Sequence, residues 1–116
     1  MLSTDVRDII RDPDNEVYLS VVSVWEAIVK YQLGKLPLPE PPDKFLPNQR
    51  QLHQIASLDL DEGSVTQLSK LPLLHRDPFD RMLISQALEK GLTLATVDRE
   101  IRAYQQNLQL KVLDVK

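Results

Sequence analysis

The chain has 116 residues, 42% of them hydrophobic and 27% charged, with a formal net charge of −3 and no cysteine. The length predicts one domain over residues 1–116, and the lack of cysteine excludes disulfides and thiolate zinc sites. The acidic balance argues against a nonspecific duplex-DNA binder, and with neither a secretory leader nor a membrane-length apolar run, a cytoplasmic location away from membranes is expected.

Residues 3–11 read as a short helix, with Val6, Ile9 and Ile10 on one face, Ser3 as its cap and Pro13 beyond its end. Val17, Tyr18 and Leu19 form a short β-prone run within residues 16–20. A helix carrying Val24, Ile28 and Tyr31 follows and stops at Gly34. Residues 36–42 hold four of the eight prolines and read as an extended connector, because regular patterning resumes directly after them. A helix is predicted within 43–54, irregular around Pro47, and another from about 61 to 70, closed by Pro72. Residues 78–90 give the clearest helix, with Phe79, Met82, Leu83 and Ala87 apolar and Gly91 at its end. A short buried strand is predicted over 92–96, a helix over 98–104 and a last strand over 110–115. Strands alternating with helices, with no hairpin signal, predict an α/β fold with a parallel sheet.

Asp77 and Asp80 stand three residues apart at the start of the clearest helix. Pro78 lacks a backbone donor and suits the first helical position, which puts Asp77 at the N-cap. The charge of Asp80 then meets the positive end of the helix dipole. Glu26 follows the strand at 17–20, and Asp98 follows the strand at 92–96. In an open α/β sheet the ligand crevice lies beyond the carboxyl ends of the strands. Glu26, Asp80 and Asp98 are therefore expected to converge there and to suit a hard, oxygen-seeking cation. Each acid also has a purely structural reading. Ser23 and Glu26 have capping-box spacing, Asp77 with Asp80 makes an acidic cap, and Asp98 can cap the helix after it. His75 reads mainly as a structural histidine beside the acids, and Trp25 as core packing or a partner contact. Lys30, Lys35, Arg76, Arg81, Arg99 and Arg102 lie near the acids as surface cations or phosphate holders.

Three stretches taken together carry a family resemblance. Ser20-Val-Val-Ser-Val-Trp-Glu26-Ala-Ile-Val-Lys30, His75-Arg-Asp-Pro-Phe-Asp80-Arg-Met-Leu-Ile84 and Thr93-Leu-Ala-Thr-Val-Asp98 resemble PIN-domain proteins. More narrowly they look like the VapC-like ribonuclease toxins of bacterial toxin–antitoxin pairs. The resemblance extends over essentially the whole chain, including Tyr31-Gln32-Leu33-Gly34-Lys35-Leu36. It implies a three-layer α/β/α sandwich with a mainly parallel central sheet, Mg²⁺ or Mn²⁺ dependence, hydrolysis of RNA phosphodiesters, inhibition by a cognate antitoxin and a homodimeric tendency. Glu26, Asp80 and Asp98 match the family's metal-binding acids, and Asp77 matches a common accompanying acid of secondary role.

PIN domains of this type open with an apolar strand that ends in a first metal-binding Asp. This chain enters its first helix at Ser3, and Asp5 and Asp8 match nothing in that opening motif. The resemblance therefore implies an N-terminally truncated fold lacking its first strand and first acid, with the missing segment expected in the DNA upstream. An alternative function follows: a truncated or degenerate PIN domain without catalysis, acting as an antitoxin-binding or self-associating module.

Overall fold

The structure is a computed structural model that describes residues 12, 14–72, 77–96 and 111–114. The elements in chain order are β1 (Tyr18–Ser20), α1 (Val21–Gln32), α2 (Pro42–Leu52), β2 (Ala56–Leu58) and α3 (Glu62–Thr66). A 3₁₀ turn (Gln67–Lys70), α4 (Pro78–Lys90), β3 (Thr93–Thr96) and β4 (Lys111–Asp114) complete the series. The predicted helices over 3–11 and 98–104 lie outside the described residues. Among the described residues no helix is long and apolar enough to cross a membrane.

The strands pair in parallel, as the alternation of strands and helices predicts. Among the described residues they form two separate pairs. β1 lies on β2 with Tyr18 opposite Ala56 and Ser20 opposite Leu58, and β3 lies on β4 with Thr93 opposite Lys111 and Thr96 opposite Asp114. β2 has no counterpart among the predicted elements. Ala-Ser-Leu is too short to show a period of two and carries no β-branched residue, so pairing with β1 is what orders it.

Local chemistry explains where the helices end. α1 closes in a Schellman arrangement in which the Gly34 amide donates to the Tyr31 carbonyl (3.0 Å) and the Lys35 amide to the Lys30 carbonyl (2.9 Å). This needs a left-handed residue, and Gly34 supplies it at φ 71°. Gly91 ends α4 in the same way at φ 66°. α2 runs through Pro47 without a break; the ring removes one helical hydrogen bond, to the carbonyl of the exposed Asp43 in the first turn.

The helix predicted over 61–70 is instead one α turn followed by a 3₁₀ turn. The Thr66 hydroxyl donates to the Gly63 carbonyl (3.1 Å) and the Ser69 hydroxyl to the Thr66 carbonyl (2.9 Å). Such back-bonding competes with the α ladder.

α4 is the centre of the molecule. Ile84, Ser85, Gln86 and Ala87 are all buried, four residues in succession that cover every side of the helix. Ile84 and Ala87 form the core with Leu71, and Leu68, Leu88 and Leu94 pack around them. α4 packs against α1, α3, the 3₁₀ turn and β3.

Candidate metal centre

α1 begins at the end of β1, where the Ser20 side chain accepts from the Val22 amide (3.1 Å). Ser20 is therefore the N-cap. The capping-box reading of Ser23 and Glu26 fails, because Glu26 lies beyond the first turn, which holds no acid. Glu26 is left as a half-buried carboxylate in the second turn with no capping duty, its side chain 17% exposed.

α4 begins as its sequence predicts. Pro78 is the first helical residue, and Asp77 caps it by accepting from the amides of Phe79 (2.9 Å) and Asp80 (3.3 Å). The two helices meet at an edge-to-face contact between Trp25 and Phe79, with ring centroids 4.8 Å apart. Each ring is the chain neighbour of an acid, so the contact draws the acids together. One carboxylate oxygen from each of Glu26, Asp77 and Asp80 lies within 4.8 Å of the others, and all three residues are half-buried.

Three carboxylates this close repel one another, and a cation answers them. Lys30, one turn after Glu26, places its ammonium 2.8 Å from the Glu26 carboxylate. Its pKa is raised, first by the hydrogen bond to Glu26; partial burial opposes this, and the charges of Glu26, Asp77 and Asp80 add to the rise. Arg81 points elsewhere with one guanidinium nitrogen, donating to the Pro72 carbonyl (3.2 Å), and Lys35 is exposed. The donor set is all oxygen, anionic and partly shielded from water. It therefore fits a hard divalent ion such as Mg²⁺ or Mn²⁺ and not a soft one.

The structure thus brings together Glu26, Asp80 and the accompanying acid Asp77 from the sequence-predicted set, with Asp77 both cap and third carboxylate. Asp98, His75, Arg76, Arg99 and Arg102 lie outside the described residues. Trp25 is not core: it is 55% exposed and lines a shallow apolar groove of about 350 Å³ with Leu19, Val24, Ile28 and Pro47. That groove holds no carboxylate and is a surface distinct from the acidic cluster.

One residue was invisible to sequence reasoning. Gln86 is almost completely buried, where its side-chain carbonyl accepts from the Ser20 hydroxyl (2.5 Å) and its amide donates to the Asp59 carbonyl (3.0 Å). A glutamine in a helix normally marks a solvated face, so only the packing of three elements around it reveals its place.

Residues 2–107 match the family model described as the PIN domain, and the chain belongs to the PIN domain family. Within that family it is similar to Ribonuclease VapC16 of Mycobacterium tuberculosis, 37% identical over 59 residues, which is 51% of this chain and 42% of that protein. The match spans less than half the length of that relative. Among solved structures, VapBC2 from Rickettsia felis bound to a DNA fragment from its promoter has a TM-score of 0.70 at 14% identity, covering 97% of this chain and 83% of that one. At that identity the likeness establishes the fold.

Proposed function

We propose that this chain is a metal-dependent endoribonuclease of the VapC type, the toxin of a toxin–antitoxin pair, folded as a single domain and acting in the cytoplasm. The observation that carries the reading is the convergence of Glu26, Asp77 and Asp80 within 4.8 Å on two packed helices in a chain of the PIN family. Glu26, Asp80 and Asp98 are the ligands assigned to Mg²⁺ or Mn²⁺. Asp77 serves mainly as the cap that fixes Asp80 in place.

Glu26, Asp80 and Asp98 would hold the divalent ion, which would supply a nucleophilic water at neutral pH and charge stabilisation at the phosphate being cleaved. The chain's own residues do the rest. The carboxylates fix the position of that charge, and the half-buried setting keeps bulk water from screening it. Lys30, whose ammonium lies beside Glu26 at the cluster, is placed to hold an RNA phosphate.

The partners that fit are an RNA substrate, a cognate antitoxin protein and a second copy of the chain. The apolar groove beside Trp25 supports a protein partner, since an amphipathic segment that folds on binding needs such a surface. The same groove also suits the alternative reading, a noncatalytic antitoxin-binding or self-associating module.

Cleavage of a mixed-sequence RNA in Mg²⁺ or Mn²⁺, with and without a chelator, separates the two. The ribonuclease reading expects metal-dependent cleavage that is abolished in Asp80→Asn and in Asp98→Asn, with circular dichroism unchanged. Cleavage by both variants at the wild-type rate contradicts the site assignment. No cleavage by the wild type, together with tight binding of the antitoxin encoded beside it, favours the binding module.

A further inference from the structure

The buried Gln86 occupies a particular place relative to the acids. Ser20, the last residue of β1 and the N-cap of α1, lies six residues before Glu26, and Gln86 lies six residues after Asp80 on α4. Six residues of helix span about 9 Å. The helices run antiparallel, since the start of α1 meets the late part of α4 at Ser20 and Gln86, and Trp25 of α1 meets Phe79 at the start of α4. The Ser20–Gln86 contact and the Glu26–Asp80 approach are therefore two points on one seam, joined on one side by the first turns of α1 after its cap and on the other by α4.

We propose that Ser20 and Gln86 are positioning residues that set the axial register of α1 against α4, and through it the spacing of Glu26 and Asp80 at the metal centre. The inference rests on the metal-site reading above. The Ser20 hydroxyl donates to Gln86 and accepts from the Val22 amide, so it caps α1 and anchors it to α4 at once. Gln86 is held in turn by the Asp59 carbonyl, in the segment between β2 and α3. Both residues are buried, Ser20 7% and Gln86 1% exposed. Sliding either helix would leave buried donors and acceptors unpaired, which is costly away from water.

Apolar burial is non-directional, whereas a hydrogen bond weakens steeply once its distance and angle depart from the favoured range. The seam therefore places its directional contact at one end and its mutually repelling charges at the other. The first resists the drift that the second would cause.

The test is Mn²⁺ titration of the full chain by isothermal calorimetry, read on folded protein with thermal melts run in parallel. Gln86→Met keeps the length and loses both polar contacts; Ser20→Ala loses the hydroxyl, and Ser20→Thr keeps it. The proposal expects Gln86→Met and Ser20→Ala each to weaken Mn²⁺ binding roughly tenfold, as changes that disturb ligand orientation do. Ser20→Thr is expected to stay within about twofold of the wild type, and the double variant Ser20→Ala/Gln86→Met to be little worse than either single one.

A lowered melting temperature with Mn²⁺ affinity within twofold of wild type in both single variants would overturn the proposal and leave the pair a structural clamp. If Gln86→Met does not fold, Ser20→Ala against Ser20→Thr decides by the same criterion. Asp80→Asn is the control. A wild type that binds Mn²⁺ no better than Asp80→Asn overturns the metal-site reading and this inference with it. Loss of binding in Asp80→Asn alone overturns only the inference.

Discussion

The first turn of α4 and the middle of the same helix follow opposite rules of construction. At the start, Asp77 and Asp80 stand with Glu26 of α1 in a half-buried cluster of like charges. Between one and two turns later, Ile84, Ser85, Gln86 and Ala87 are fully enclosed, with Ile84 and Ala87 in the core. The first arrangement is unfavourable without a counter-charge; the second supplies the packing that holds it. Groups arranged for chemistry tend to cost stability, which the surrounding structure must make up. A single helix carrying both makes that division measurable within 13 residues.

The comparison breaks most visibly at Ile84. Ile84→Ala removes a fully buried side chain and is expected to destabilise the protein by about 2–5 kcal/mol in chemical denaturation. Asp80→Asn, one turn away, is expected to change stability in the absence of metal by no more than about 1 kcal/mol, because relief of carboxylate repulsion opposes the loss of a favourable charge at the helix N-terminus. Equal losses for the two would erase the proposed division between framework and site.

A smaller effect separates the two roles of Asp77. Asp77→Ala deletes the cap on α4 and is expected to cost about 1 kcal/mol, a fall of about 4 °C in melting temperature. Asp77→Asn keeps an oxygen that accepts from the Phe79 and Asp80 amides and is expected to keep most of that stability. If the two variants melt alike, Asp77 is not acting as the cap.

The smallest effect lies at the far end of α4. Lys90 contacts the Asp61 carboxylate, which also caps α3 by accepting from the Ser64 amide (2.9 Å). The ammonium of Lys90, and then Ser64, hold the Asp61 carboxyl well below the usual carboxylate range. A depressed folded-state value stabilises the fold above the unfolded value of about 3.9, and the contribution is lost as the pH falls below it. Both side chains are partly exposed, so salt screens the pair and the gain is small. The stability difference between wild type and Asp61→Asn is expected to be steady from about pH 7 to 5 and to shrink from about pH 4 downward. A difference independent of pH would assign it to the cap alone.

Much of this helix was legible in the sequence because its signals are local. Asp77 and Pro78 mark the start of α4 and Gly91 its end, each acting on the nearest turn. The approach of Glu26 to Asp80 followed from topology, since both lie where strands and helices turn over at one end of the fold. Local reasoning misled at Ser23, where spacing suggested a cap but the true cap is Ser20, a residue that also closes β1. It was silent on β2, ordered by its partner strand, and on Gln86, whose two hydrogen bonds reach 27 and 66 residues along the chain. Contacts at those separations leave no periodic trace in the sequence.

Everything proposed for the site depends on Glu26 and Asp80 holding a divalent ion between α1 and α4. Anomalous diffraction from a crystal of the chain grown with Mn²⁺ tests it most directly. A manganese peak within coordination distance of carboxylate oxygens of both Glu26 and Asp80 is expected. A well-occupied peak bound to neither residue, or no peak at saturating Mn²⁺, would show that these acids are not the metal ligands.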